Sequence, residues 1–203
     1  YYRVRGVQTD PSGELITTLW SSDMSGGLGQ HAYDGHQRNL NWQATTTYAE
    51  EGKRKSVVQY FDGSLRNRQT VTRDNSTKTT VAAETLYDEQ GRPVIQVLPA
   101  PTLSKLIGYT PFLNVANMNS AEYDKDIYDG LLSAGYCDNG ADSMSNISGT
   151  SQYYSANNPL ASEGPNQFIP DAKGYAFTET QYSQDNTGRI NKQGGVGKEF
   201  KIG

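Results

Sequence analysis

The residue types that most often carry out covalent chemistry are scarce in this sequence. It has one cysteine, Cys137, and two histidines, His31 and His36. A cysteine nucleophile needs a neighbouring base, but Cys137 lies in a polar segment and both histidines flank a turn. No pair of carboxylates has the apolar surroundings that would separate two pKa values for acid–base work. We therefore expect no enzyme activity from this segment.

Two short patterns resemble sites for ions or phosphates, and both are incomplete. Asp124, Asp126 and Asp129 resemble the start of a calcium loop, but the third carboxylate is one residue late and the closing glutamate is absent. The glycine-rich segment 194–198 ends in Lys, as a phosphate loop does, but Glu199 follows where Ser or Thr is required. We interpret both as turns and expect no metal and no cofactor.

Composition argues against further classes of protein. The net charge is −4 and only Lys53-Arg54-Lys55 forms a basic run, which argues against a nucleic-acid partner. Hydrophobic residues make up 34%, and 14 residues are tyrosine, so we expect a thin core. No stretch approaches the ~20 apolar residues of a membrane span. The sequence begins Tyr1-Tyr2 without methionine, so we expect it to be a fragment of a longer protein.

The most informative pattern is an aromatic residue followed by Asp, with Arg four positions after the Asp. It occurs at residues 33–38, 61–66 and 87–92, so its aromatic residues are 28 and 26 positions apart. Residues 182–190 form a degenerate fourth copy with two extra residues in the turn. The predicted turn residues are Tyr33, Asp34 and Arg38; Phe61, Asp62 and Arg66; Tyr87, Asp88, Gly91 and Arg92; and Tyr182, Gly188 and Arg189.

The flanks of the pattern predict β-hairpins. Residues 79–86 and 93–98, on either side of the third copy, are rich in β-branched side chains. The Asp carboxylate can bond the backbone of its own turn, and Gly91 supplies a positive φ. The Arg opens the return strand, where it can reach back to the Asp and lie across the aromatic ring. Because one hairpin cannot bury its apolar face alone, near-regular copies indicate stacked repeats.

Three segments follow along the chain. Residues 1–99 are predicted to be a β-hairpin repeat segment, which includes strands at 2–7 and 14–20 around a turn. Residues 175–203 return to β structure. Between them, residues 100–174 form a loop-rich insertion, and the sheet is expected to break at Pro99-Ala100-Pro101 because proline cannot donate to a ladder.

Inside the insertion, one short helix is predicted over residues 120–133. Ser120 is a plausible cap, and Tyr123, Ile127 and Leu131 recur every four residues. Residues 134–170 show almost no apolar periodicity, so we expect a long surface loop held by its tyrosines, Tyr136, Tyr153 and Tyr154.

The repeats resemble the RHS or YD-repeat superfamily, named for a Tyr-Asp followed by Gly-Arg as in Tyr87-Asp88-Glu89-Gln90-Gly91-Arg92. Residues 60–71, 91–99, 169–174 and 185–190 carry a closer likeness to large RHS-type surface proteins of Bacteroidetes. The resemblance implies a mainly β fold, in which antiparallel hairpins form part of a spiralling β-shell. It also implies a bacterial protein that is secreted or displayed on the cell surface, often by type IX secretion.

In that family the shell commonly encloses or presents a C-terminal toxin or effector. The resemblance therefore implies a structural role for this segment, with the remainder of the same polypeptide as its partner, and contact with secretion machinery. Any catalytic or self-cleaving part lies outside the segment. An alternative function is a cell-surface adhesin or carbohydrate-binding module, in which Tyr136, Tyr153 and Tyr154 stack on sugar rings.

Overall fold

A computed structural model of the protein describes residues 5–17, 36–104, 106–117, 120–128 and 140–203. The chain divides into two compact units, residues 1–38 and residues 39–203. The segment boundaries expected near residues 99 and 174 both lie inside the second unit.

The first unit contains a hairpin of two short strands, β1 (Val7–Thr9) and β2 (Leu15–Thr17), which pair antiparallel. The Ser12 hydroxyl and the backbone N–H groups of Glu14 and Ser12 donate to the carboxylate of Asp10 and lower its pKa. Among the described residues the first strand extends from Val7 to Thr9, whereas a strand was predicted over residues 2–7, of which 2–4 lie outside the described ranges.

The second unit is built on one antiparallel sheet. Its strands are β3 (Asn41–Tyr48), β4 (Arg54–Phe61), β5 (Asn67–Asp74), β6 (Thr80–Tyr87), β7 (Pro93–Val97), β8 (Ala100–Pro101), β9 (Phe177–Tyr182) and β10 (Ile190–Gly194). They pair in the order β3, β4, β5, β6, β7, β9, β10, and β8 pairs with the first half of β6. The predicted mainly β fold with antiparallel strands is confirmed.

The prolines at 99 and 101 do not end the sheet, and this part of the prediction was wrong. Strand β7 pairs only with the second half of β6, so the first half is left for β8, where Ala100 lies opposite Ala82. Proline cannot donate to the ladder, but the backbone N–H of Thr102 donates to the Thr80 carbonyl at 2.8 Å. The next residue thus supplies the hydrogen bond that Pro101 cannot make.

The sheet buries one of its two faces. Along β6, Ala82, Glu84 and Leu86 are buried, whereas Val81 and Ala83 between them are only half-buried. This period of two is the period of a strand, because successive side chains point to opposite faces. The buried side, called the inner face below, is formed by Val58, Tyr60, Gln69, Val71, Ala82, Glu84, Leu86, Ile95, Phe177 and Glu179.

The described part of the connection between β8 and β9 covers this inner face. Its Tyr123 and Met144 are buried against Leu86 and Ile95 in one apolar cluster. In a second cluster Leu113 joins Val58, Tyr60, Val71 and Ala82. Full burial of such a side chain contributes about 1.5–3 kcal/mol. The loop-rich insertion therefore forms the second layer of the unit.

The helix predicted over residues 120–133 starts later than expected. Only residues 125–128 of its described part are helical, and Ser120 has a φ of +55°. The Asp124 carboxylate accepts hydrogen bonds from the N–H groups of Asp126 and Ile127 at 3.0 and 3.2 Å, so Asp124 is the cap. None of the helices in the described residues combines the length and the apolar surface needed to cross a bilayer.

The predicted surface loop at 134–170 is more ordered than expected in its described part, residues 140–170. It contains a short helix, α1 (Gly149–Tyr153), and a 3₁₀ turn at 164–168. Thr150 and Ser151 are buried, and their hydroxyls donate to the carbonyls of Leu98 and Met144. The apolar periodicity is missing because this segment buries small polar side chains that bond the backbone.

Candidate functional site

Two of the predicted turns, residues 62–66 and 88–92, have the same geometry. In each, the backbone N–H of the Asp donates to the carbonyl of the Arg four residues later, at 2.9 and 3.0 Å. The backbone N–H of the Arg donates to Oδ1 of the Asp, at 3.0 and 2.8 Å. The Nε of the same Arg donates to Oδ2, at 2.9 and 2.7 Å. One carboxylate therefore holds both ends of its turn.

The ion pair of the first turn is partly shielded from solvent. Partial burial raises the pKa of Asp62, but the N–H groups of Arg66 and Ser64 and the Arg66 guanidinium outweigh that effect and lower it below the ordinary value. The corresponding pair in the second turn, Asp88 and Arg92, is more buried, with side chains 10% and 22% exposed. These turns are thus more than exposed surface ion pairs.

A β-bulge follows each turn at the same offset. Opposite β4 the register passes from Asn67 to Gln69, and opposite β6 it passes from Pro93 to Ile95. The bulged residue, which has no partner in the strand pairing, is the second after the turn arginine. It is Arg68, Val94 and, after the degenerate turn, Asn191. A bulge re-aims the side chain it contains. Val94 is buried in the core, and Arg68 reaches the buried carboxylate of Glu84 at 3.7 Å.

The arginines of these two turns, Arg66 and Arg92, each lie over the aromatic ring of the next hairpin. The Arg66 guanidinium carbon is 5.0 Å from the centroid of the Tyr87 ring. The Arg92 guanidinium carbon is 4.6 Å from the centroid of the Tyr182 ring. Both distances are within the ≈ 6 Å range of cation–π contacts. The expected contact between Arg and ring therefore exists, but it joins consecutive hairpins.

Gly91 is fixed by this contact between hairpins as well as by its own turn. Its φ is +80°, in the region that favours glycine. A Cβ at this position would also lie 2.7 Å from Nη1 of Arg66, which crosses from the preceding hairpin. The glycine of the repeat thus makes room for the arginine of its neighbour.

The degenerate fourth turn keeps its place in the series. Tyr182 pairs with Ile190, as Phe61 pairs with Asn67, and the N–H of Ser183 donates to the Arg189 carbonyl at 2.8 Å. The Arg189 guanidinium binds Asp185 at 2.6 Å, but both side chains are exposed, at 72% and 43%. Gly188 has a φ of +71°, and a Cβ at this position would have no atom of the described residues within 4 Å. This turn contacts the preceding one where Gln90 donates to Asn186 at 3.0 Å.

The remaining predicted residues are only partly described. Tyr33, Asp34, Tyr136, Cys137 and His31 lie outside the described residues, and Arg38 is exposed. Tyr153 and Tyr154 pack edge to face at 5.1 Å. Their hydroxyls bond Asn166 and the Pro99 carbonyl, so both tyrosines hold the insertion.

Sequence reasoning missed a polar network between sheet and insertion, centred on Glu84. The buried carboxylate accepts Nδ2 of Asn114 at 2.7 Å and Nε2 of Gln69 at 2.9 Å. Oδ1 of Asn114 accepts the backbone N–H of Thr150 at 3.1 Å, and Arg68 also approaches Glu122 at 3.7 Å. Glu84 alternates along β6 with Ala82 and Leu86, so the three side chains lie on the same face of the strand. This alternation can be read from the sequence.

Burial raises the pKa of Glu84, although Arg68, Asn114 and Gln69 oppose the shift. A second inner-face carboxylate, Glu179, accepts the backbone N–H of Ala141 at 2.8 Å. Burial raises its pKa too, opposed by that N–H, by Gln181 and by two lysines. Both carboxylates have their donors in the fold itself, which favours a role in attaching the insertion.

Groups of metal ligands are not found in the described ranges: no three His, Cys, Asp or Glu side chains there are placed to hold an ion. Asp124 and Asp126, from the incomplete calcium pattern, are used in the helix cap and a lysine pair. The glycine-rich segment 194–198 ends β10 and enters a 3₁₀ turn at 198–200.

The geometry is that of a repeated structural turn, with an insertion fastened to the sheet by buried polar groups. Neither curated proteins nor solved structures gave a significant match to the chain. A family model described as a domain of unknown function (DUF6443) matches residues 35–203, which include the whole sheet of the second unit and its insertion. Since that match covers most of the chain, the protein belongs to the DUF6443 family.

Proposed function

We propose that residues 39–203 are a structural wall segment of an RHS-type secreted protein whose β-shell encloses or presents a C-terminal effector. The observation that carries the proposal is the pair of contacts from Arg66 to Tyr87 and from Arg92 to Tyr182. In both contacts, the arginine of one turn lies over the tyrosine that precedes the next turn, at the same end of the strands. Repeated joints of this kind suit an extended wall that is built one hairpin at a time.

The two faces of the sheet support a wall with a lined side. The insertion covers the inner face, whereas the opposite face carries half-buried Thr70, Thr72, Val81, Ala83 and Thr85. A sheet that is apolar or β-branched on both faces suits contact on both sides. We infer that the partner of this segment is the remainder of the same polypeptide, with further repeats and an effector.

Secretion to the bacterial surface or the medium is part of the proposal and rests on the sequence resemblance. A type IX substrate contacts its secretion machinery during export. Cell fractionation of the producing bacterium, with an antibody against the second unit, tests this part. A signal confined to the cytoplasmic fraction would contradict it.

Protease protection of the full-length polypeptide tests the wall function. In a shell, a C-terminal effector resists a protease that digests the same effector expressed alone. Substitution of both turn arginines, Arg66→Ala with Arg92→Ala, should expose it by loosening the joints. Equal digestion rates for the enclosed and the isolated effector would reject the proposal.

A further inference from the structure

The insertion contains a cavity of about 470 Å³ that the wall function does not use. Its lining includes residues 101–104, Thr110, Phe112 and Leu113, together with members of the segment 147–160. Its volume lies within the range of about 300–1,000 Å³ that is typical of small-molecule sites.

The walls of this pocket are fixed by the fold. Gly149, with a φ of +56°, lies so close to the Leu113 carbonyl that a Cβ would come within 1.6 Å of the oxygen. The Tyr153 hydroxyl donates to Asn166 at 2.8 Å, and Thr150 is held by Asn114 at 3.1 Å. The pocket is therefore formed before any ligand arrives, which reduces the ordering cost of binding.

Among the residues that the structure describes, none that lines the pocket is charged, although Asp, Glu, Lys and Arg make up 20% of the sequence. A charged ligand would lose hydration here without gaining an opposite charge. Charge complementarity therefore selects a neutral ligand.

The lining combines aromatic rings with unused polar groups. Phe112, which is 57% exposed, and Tyr153 both belong to the lining. The side-chain amide of Gln152 and the hydroxyl of Thr110 bond no other residue in the part of the chain that the structure describes. A purely hydrocarbon ligand would cover these polar groups without satisfying them, at a cost of about 1–3 kcal/mol each.

We propose that this pocket binds a neutral sugar ring. One face of a pyranose is apolar and stacks on an aromatic side chain, while its hydroxyls bond amides and hydroxyls at the edge. Phe112 supplies the stacking surface, and Gln152 and Thr110 supply the hydrogen bonds. Of the three tyrosines predicted for an adhesin, Tyr153 belongs to the lining, whereas the proposed stacking ring is that of Phe112. It is independent of the Arg–ring contacts that carry the wall function.

Ligand-observed NMR on the 203-residue chain tests the site with a panel of neutral methyl glycosides: glucoside, galactoside, mannoside and N-acetylglucosaminide. At least one should receive saturation transfer, and should do so more strongly than glucuronate or cyclohexanol. Gln152→Leu and Phe112→Ala should each weaken binding roughly tenfold. Matched controls are Gln167→Leu and Phe168→Ala, exposed residues of the same insertion outside the pocket lining, which should leave binding unchanged.

Several outcomes would overturn the proposal. They are no binding by any glycoside, binding that both pocket variants leave unchanged, or tighter binding of cyclohexanol or glucuronate. Thermal melts establish that the variants fold. If Phe112→Ala does not fold, amide shifts in the wild-type chain decide: glycoside must perturb Leu113 and Gln152, and not Phe168. Loss of sugar binding leaves the protease-protection result for the shell unaffected, so the two proposals fail separately.

Discussion

The Arg92 guanidinium lies 4.6 Å from the centre of the Tyr182 ring, although the whole insertion separates the two residues along the chain. The insertion leaves the sheet after β8, which pairs with β6, and returns at β9, which pairs directly with β7. The Arg–ring contact is thus made across the excursion as it is between Arg66 and Tyr87, where only two strands intervene. The contact between consecutive repeats is therefore maintained across the insertion.

Arg92→Ala should destabilise the second unit by about 1–2 kcal/mol, because it removes a partly buried ion pair and a cation–π contact. Arg189→Ala is the matched control. Arg189 also binds the Asp four residues before it, but it is exposed and makes no ring contact among the described residues. Urea denaturation measures both. Equal midpoints for the two variants would show that the ring contact contributes nothing.

Gly91→Ala should cost more than Gly188→Ala. Both positions have positive φ, which costs about 1–2 kcal/mol for alanine, but only at Gly91 does a Cβ meet Arg66 at 2.7 Å. The excess should disappear in the background of Arg66→Ala, since the clashing group is then gone. Free energies of unfolding for the wild type, Gly91→Ala, Arg66→Ala and the double variant form this cycle. An excess that persists without Arg66 would place the cause in the turn itself.

The turns could be predicted because their chemistry is local. Asp and Arg four residues apart meet whenever the chain reverses between them, so offset and residue type are enough. The ring partner could not be predicted, because Tyr182 reaches Arg92 only through the pairing of β7 with β9. The sequence predicts that β structure returns at residues 175–203, but not that the returning strand pairs with β7.

The cover of the inner face was missed for a different reason. Its segment 140–158 buries Thr150, Ser151 and Asn158, whose polar side chains resemble those of a loop. Their burial is compensated by hydrogen bonds to backbone groups, either distant, as from Thr150 to Leu98 at 3.1 Å, or local, as from the N–H of Leu160 to Asn158 at 2.9 Å. Apolar periodicity cannot detect a layer that is attached in this way.

The stability of the second unit should fall as pH rises through the folded-state pKa values of Glu84 and Glu179. Burial raises both pKa values, so the folded state holds these protons when the unfolded chain has lost them. The contribution of the two glutamates to the free energy of unfolding is complete at a pH below the ordinary glutamate pKa. It is lost at a pH above the two raised pKa values. Asp62 acts in the opposite sense, because its pKa is lowered in the folded state. Its contribution to stability is present above the ordinary aspartate pKa and is lost as the pH falls through the lowered value.

Urea titrations from pH 4.5 to 8 measure this dependence. Glu84→Gln removes one of the two groups and should flatten the profile, whereas Glu89→Gln, at an exposed turn position, should not. A wild-type stability that rises steadily over this interval would contradict the prediction, because it would mean that the unfolded state holds more protons.

Asn114→Ala should loosen the insertion without disrupting the turns. Asn114 is 1% exposed and joins Glu84 of β6 to the backbone N–H of Thr150 in α1. Its removal leaves a buried carboxylate and a buried N–H each short of one partner, at a cost of about 2–4 kcal/mol. Hydrogen exchange should accelerate at the amides of 140–176 more than at those of β4 and β5. Asn157→Ala, an exposed residue of the same insertion, is the control and should change neither set. Uniform acceleration across both sets would contradict the prediction, because it would show that the sheet and its cover open together and that Asn114 is not a separate fastening.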